Sequence, residues 1–258
     1  MKKFELTTEF ITNAFGKKLF RIKALVEFGD VKAGELGGYV EKEENVSQDG
    51  NAWVSGDARV YGDALVYGNA KVYDDAWVHG NAKVYGNAEV YGNAKVSDNV
   101  RVSDNAKVFD NAEVYGDARV SGDARVSGNA WVYGDARVYG DARVYGNAWV
   151  RGNARVYGDA RVSGNAWVSG NARVSGNAWV YGDADYALVQ GFGTEFRCTT
   201  FYRGKNKKIM VNCGCFHGDL EGFRKQVKET RNGKIAKEYL MIADLMEYHF
   251  TSEDSSNE

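Results

Sequence analysis

The chain has 258 residues, 44% hydrophobic and 26% charged, with a formal net charge of −2 at pH 7. That near-neutral balance argues against a dedicated nucleic-acid binder or an acidic DNA mimic, and the length allows one large or two ordinary domains. Three cysteines, an odd number, fit reduced thiols in a cytoplasm, and Met1-Lys2-Lys3-Phe4-Glu5 leads into no apolar run of the kind a signal peptide or membrane helix needs.

In chain order, residues 1–39 alternate weakly, with strands expected at Lys3 to Thr7 and Leu19 to Leu25 joined around Asn13 to Lys18. Gly37-Gly38-Tyr39-Val40 then enters a six-residue phase. Val46 keeps it, and two extra residues near Gln48-Asp49 precede Val54.

From Val54 to Val180, 22 positions six apart are all valine. The unit reads valine, Tyr or Ser, Gly, Asn or Asp, Ala and a variable residue, as in Val138-Tyr139-Gly140-Asp141-Ala142-Arg143. A period this strict signals a parallel β-helix. Valine and the alanine two places before it share strand periodicity, so both point inward, where a β-branched and a small side chain fill a narrow interior. The Gly-Asn or Gly-Asp pair is the corner, since glycine adopts positive φ freely and Asn and Asp tolerate it best among the rest. Three units close one 18-residue coil. Residues 1–39 are expected to cap the first coil, because an open ladder edge invites end-to-end association. The absence of proline fits a backbone whose amides are committed to ladders.

Tyr186 and Phe192 fall on the valine phase and are expected to plug the far end. Counting to Phe192 gives a β-helix over residues 40–193 of close to nine coils, roughly 40 Å long at about 4.8 Å per coil. Residues 194–250 read as a small α+β domain. Its hairpin runs from Phe196 to Tyr202 and from Lys208 to Cys213, turning at Gly204-Lys205-Asn206-Lys207. Asp219 N-caps a helix to about Thr230, with Gly222 where Glu or Gln would complete a capping box. After Asn232-Gly233, a second helix over Lys237 to Phe250 turns Tyr239, Leu240, Ile242, Leu245, Met246 and Phe250 inward. Residues 251–258 are an acidic tail expected to be disordered.

Sorting the residue before each valine by coil gives three outer columns. The first holds Arg59, Trp77, Lys95, Glu113, Trp131, Trp149 and Trp167. The second is basic throughout, with Lys83, Arg101, Arg119, Arg137, Arg155 and Arg173. The third holds Lys71, Glu89, Lys107, Arg125, Arg143, Arg161 and Trp179. Tyrosines such as Tyr133, Tyr139, Tyr145 and Tyr157 fill the slot after valine. The Trp131, Trp149 and Trp167 column either meets another subunit, giving a trimer or dimer, or stacks on itself and on neighbouring Arg and Tyr. The Arg column either holds phosphate or an acidic partner or is offset by the corner residues Asp123, Asp141 and Asp159.

The repeat resembles the left-handed β-helix of the hexapeptide-repeat superfamily, whose consensus also has an aliphatic residue followed four places later by a small one. The left hand comes from that resemblance, since the usual crossover rule favours a right-handed turn. With the segments Phe28 to Val40 and Cys213-Gly214-Cys215-Phe216, the chain is similar to phage- and prophage-encoded hexapeptide-repeat proteins, often labelled acyltransferases on the repeat alone. The resemblance implies a histidine general base and coenzyme A in a groove between prisms, often beneath an extruded loop. No such loop interrupts Val54 to Val180, and the one histidine there, His79, occupies a Tyr or Ser slot as a surface variant would. His217 lies near Asp219 in sequence. Cys198, Cys213, Cys215 and His217 number enough for zinc, but the spacing is unusual, and Cys213 and Cys215 share one strand face as core residues would. The expectation is a rigid, oligomeric, non-catalytic binding scaffold without cofactor. It acts on a host protein or a host defence or signalling component, does not enter membranes, and has nucleic acid as an improbable ligand. The alternatives are a coenzyme A-dependent acyltransferase using His79, and nucleotide capture between subunits by Arg137 and Arg155.

Overall fold

The computed structural model describes residues 2–193, 197–204 and 207–251. The six-residue phase becomes a three-sided parallel β-solenoid. Its valines and alanines are all 0% or 1% exposed and form one continuous core. Each rung donates to the carbonyl of the next coil, as in Arg137 N–H to Ala154 C=O at 2.9 Å. Rungs pair with rungs 18 residues away in unbroken register, for example Arg137 with Arg155 and Val138 with Val156.

The corners follow from backbone conformation. Corner glycines such as Gly140 sit at φ 71°, and a Cβ there would lie 3.0 Å from the backbone nitrogen of Gly158 in the next coil. Where the sequence has aspartate instead, the residue still takes positive φ, as at Asp98, Asp104 and Asp110. Its carboxylate then accepts from the next coil's N–H, at Gly116, Gly122 and Gly128 respectively, at 2.9 to 3.0 Å. Beside these turns, asparagine amides form ladders. Asn51, Asn69, Asn87 and Asn105 each donate to the residue one coil on, ending at Asp123, which has no amide to continue.

The coils number eight rather than nine. Each face carries eight rungs, counting β3 (Leu36–Val40) on the first and the single bridge at Val46 on the second. At the near end β1 (Phe4–Thr12) and β2 (Lys18–Ala24) form the expected hairpin, and β2 pairs antiparallel with β3, extending the first face. The extra residues before Val54 have a use here. The Gln48 side chain exchanges hydrogen bonds with the backbone of Phe4, accepting at 3.3 Å and donating at 3.2 Å.

Carbonyls of the first coil have no preceding coil to bond. The Lys3 ammonium, on a residue only 4% exposed, donates to Gly50 and Ala52 C=O at 3.3 and 2.9 Å. Asn45, fully buried in the short turn before Val46, donates likewise to Gly62 and Ala64 of the second coil at 3.1 and 2.9 Å. Burial pulls the Lys3 ammonium down to about 8 from its ordinary 10.5, against a smaller opposing pull from Asp49. Below pH 8 both folded and unfolded chains hold this proton. Between 8 and 10.5 the unfolded chain holds more protons, so stability rises with pH across that window. The Cys198 thiol, pushed up by burial, acts in the opposite direction in this range. Urea unfolding from pH 7.5 to 9.5, before tyrosines titrate, should therefore show the rise as a growing stability of wild type relative to Lys3→Met.

At the far end the solenoid stops at Val180. A short 3-10 turn, Asp183–Asp185, leads out of it. Phe192 does not plug the prism as expected, whereas Tyr186, half-buried, packs against the end of the core and its hydroxyl accepts from Ser169 N–H at 3.3 Å. The two residues bound the strand Tyr186–Phe192, the edge of a separate four-stranded antiparallel sheet with Arg197–Arg203, Ile209–Cys213 and Phe216–Asp219. Phe192 is 39% exposed, and the ring that closes the core is Tyr202, at 0%. Thr200 Oγ1 accepts from Arg173 N–H at 3.0 Å and Asn212 Nδ2 donates to Arg173 C=O at 2.8 Å, so the last coil's open groups are met by side chains.

Asp219 caps α1 (Leu220–Thr230), its carboxylate accepting from Gly222 N–H at 2.9 Å. The second helix, α2 (Gly233–Thr251), begins four residues earlier than expected. It buries Tyr239, Ile242, Ala243, Met246 and Phe250 against the sheet and α1. Leu245, which the apolar pattern turns inward, is 58% exposed, because Ala243 takes the inner line of the helix. Phe196, Lys205, Asn206 and the acidic tail after Thr251 lie outside the described residues. No helix among the described residues is long and apolar enough to cross a membrane.

Candidate functional site

The three outer columns stand as the sequence sorts them. Along the first face Trp131 and Trp149 stack at 5.0 Å and 5°, and Trp149 meets Trp167 edge-on at 5.3 Å and 62°. Tyr115 and Tyr133 stack at 4.8 Å beside them and turn their rings edge-on to Trp131 and Trp149. Tyr133 therefore shares the tryptophan face. The Arg151 guanidinium lies 4.2 Å from the Trp167 ring centroid. Ring faces along this column are spent largely on one another, and the rims remain half-exposed.

On the second face Lys83, Arg101, Arg119, Arg137, Arg155 and Arg173 follow one another in register. Tyr139 and Tyr157 flank this column, stacked at 5.0 Å and 2°. Asp123, Asp141 and Asp159 stand exposed at the adjoining corner, and none forms an ion pair with the column. Among the described residues, the repeats' ion pairs are Lys42–Asp63, Lys71–Asp30, Lys95–Glu113 and Lys107–Glu89, at 2.8, 2.7, 2.9 and 3.2 Å, beside Lys2–Glu43 and Lys17–Glu41 at the near end, at 2.8 and 2.9 Å. All of these lie in the earlier coils, away from Arg119 to Arg173. Six like charges at one-coil spacing are held together without a neutralising partner among the described residues.

His79 stacks on Tyr61 at 4.8 Å and 11°, and burial holds its imidazole below the ordinary value. It is a rung of an aromatic ladder with no carboxylate orienting it. His217 does not pair with Asp219, which is spent on the α1 cap. Its Nδ1 lies 2.8 Å from Asn212 Oδ1 and 3.4 Å from both the Ser175 and Tyr202 hydroxyls. Asn212 also donates to Ser175 Oγ at 2.9 Å. Ser175 is 3% exposed, so this cluster joins the cap to the last coil and leaves no nucleophile open to substrate. Cys215 is exposed in the turn after Cys213 and does not share its strand face. Thr199 Oγ1 donates to Cys213 Sγ at 3.1 Å and Cys198 Sγ to Asn171 C=O at 3.5 Å. No group of three His, Cys, Asp or Glu among the described residues is placed to hold a metal ion.

Four concavities among the described residues carry no signal in the sequence, among them one of about 360 Å³ bounded by Arg151, Trp167 and Leu188 and one of about 260 Å³ beside α1 and α2, and two lie on the third face. One, about 670 Å³, lies where the Gly29 to Glu35 loop overhangs Trp53, Lys71, Tyr73 and Glu89 on the third face. Its polar groups are largely engaged with one another, through Lys71–Asp30 and through Tyr73 O–H donating to Glu89 at 3.0 Å. The other is a groove of about 240 Å³ between Phe109 and Tyr145.

A family model described as YdcK beta solenoid repeat matches residues 118–134, 136–152, 154–170 and 166–182. No curated protein matches the chain. With the coils described above, the chain is a β-solenoid repeat protein.

Proposed function

We propose that this chain is a non-catalytic β-solenoid scaffold whose second face binds an acidic surface on a partner protein. The supporting observation is the basic column itself. Lys83 to Arg173 present cations in line, without carboxylate partners among the described residues, on a support that cannot rearrange. Charge left unpaired on a rigid face favours an anionic partner and speeds its encounter. Self-association through the half-exposed rims of Trp131, Trp149 and Trp167 is the second part of the proposal. The likeness to hexapeptide-repeat proteins of phages and prophages favours a partner among host proteins of defence or signalling, in a cytoplasm. Acyl transfer through coenzyme A finds no supporting geometry, since His79 is stacked and unoriented.

Immobilised protein should capture its partner from host lysate at low salt and release it as salt rises. Bait carrying Arg119→Ser, Arg137→Ser and Arg155→Ser, with unchanged melting temperature, should capture none. Equal capture by the two baits would refute the assignment of the face. In sedimentation, Trp131→Ser with Trp149→Ser and Trp167→Ser should lower the mass of the wild-type oligomer, and an unchanged mass would remove that interface.

A further inference from the structure

On the third face the slot after valine holds Ser55, Tyr73, Tyr91, Phe109, Ser127 and Tyr145 in successive coils. Tyr73, Tyr91 and Phe109 stack at 4.8 and 4.9 Å with interplanar angles of 3° and 4°. The stack then skips one rung at Ser127 and resumes at Tyr145. The backbone does not skip, since Phe109, Ser127 and Tyr145 donate in turn to Val126, Val144 and Val162 at 3.0, 2.9 and 3.0 Å. The two rings are therefore two rungs apart, roughly 9.6 Å at about 4.8 Å per rung. That is the room one intervening ring would take at the ladder's own spacing. Serine fills only the floor of the gap, and the groove of about 240 Å³ opens over it.

The remaining walls are cationic. Arg125 and Arg143, from the rungs of Ser127 and Tyr145, and Arg161, from the coil beyond, line the groove. None makes an ion pair among the described residues, and Arg161 also lies 5.3 Å from the Trp179 ring centroid. The corner carboxylates Asp123, Asp141 and Asp159 precede these arginines by two residues and leave them unpaired. Two other single-serine gaps differ. Ser97, between His79 and Tyr115, sits beside the Lys95–Glu113 pair, which neutralises itself. Ser163, between Tyr145 and Tyr181, is 4% exposed and closed to ligands.

We propose that the Ser127 gap is a binding site for a nucleoside phosphate. The base takes the missing rung between Phe109 and Tyr145, the Ser127 hydroxyl meets its edge, and Arg125 and Arg143 hold the phosphate. Aromatic faces accept any base by stacking, and guanidinium groups match phosphate oxygens two at a time. The gap admits one ring, so it takes a single base. This site lies on a different face from the Arg119 column, and either assignment can fail alone.

The test is calorimetric titration of the intact protein with AMP, adenosine and inorganic phosphate. AMP should bind in the micromolar range, and adenosine and phosphate each at least ten-fold more weakly. Ser127→Tyr supplies the missing rung with the residue already present at Tyr91 and Tyr145. It should fold with an equal or higher melting temperature and bind AMP at least fifty-fold more weakly. Arg143→Ser should weaken AMP at least ten-fold and change adenosine less than two-fold. Absence of AMP binding up to millimolar concentration, or AMP binding by Ser127→Tyr equal to wild type, overturns the proposal.

Discussion

Tyr202→Ala is expected to destabilise the protein by about 3–5 kcal/mol, the cost of emptying a fully buried aromatic site, and to make it associate end to end. Tyr202 is 0% exposed and closes the last coil, where the interior valines and alanines would otherwise meet water. Its hydroxyl lies 3.3 Å from Asn212 Nδ2 and 3.4 Å from Ser175 Oγ, and burial pushes its ionisation up to about 12. Tyr202→Phe keeps the ring and removes only these contacts, so it should cost about 1–2 kcal/mol. Urea unfolding measures both losses. Light scattering reports the association, because an uncapped solenoid end is an open sheet edge. A Tyr202→Ala protein within 1 kcal/mol of wild type, and monodisperse, would mean that another group closes the coil.

The columns were legible because one phase runs through the whole solenoid. Once Val54 to Val180 are fixed inward, every residue beside them has a determined face, and Trp131 above Trp149 or Arg137 above Arg155 comes from counting by 18. Counting fails where the chain leaves the phase. Phe192 keeps the six-residue interval numerically, but after the turn at Asp183–Asp185 the strand Tyr186–Phe192 runs into a separate sheet, so only Tyr186 at its start still meets the core. Tyr202 carries no periodic signal. It is a core residue because its hairpin packs across the open end, a contact made by tertiary structure alone. Lys3 is similar: an N-terminal lysine ordinarily reads as solvated, and only the unpaired carbonyls of the first coil draw it inside. Counter-charge is harder to count: Asp141 follows Arg137 by only four residues, yet it stands exposed at the corner and forms no ion pair with that column among the described residues. The Ser127 gap was in principle visible, since sorting the slot after valine places Phe109, Ser127 and Tyr145 in one line. Its meaning depends on knowing that the rings of this ladder are stacked.

Gly140→Val should destabilise the solenoid by more than about 3 kcal/mol, while Gly140→Asp should cost less than about 1 kcal/mol, although aspartate is of similar bulk. Two terms separate them. At φ 71° a β-branched residue is strained by on the order of 1–3 kcal/mol. A Cβ at Gly140 also lies 3.0 Å from the Gly158 nitrogen, and valine's second methyl crowds a backbone that cannot withdraw without parting two coils. Aspartate meets the same 3.0 Å approach, but it tolerates this conformation best after glycine and asparagine. It also brings an acceptor to the next coil's N–H, as Asp98 does for Gly116 at 2.9 Å. The chain has already made this substitution at Asp74, Asp98, Asp104 and Asp110, all with φ between 58° and 60°. Guanidinium unfolding of the two variants tests it directly. Equal losses would mean that the corner is governed by side-chain volume alone, and a loss under 1 kcal/mol for valine would mean that neighbouring coils can slide apart more easily than their unbroken register implies.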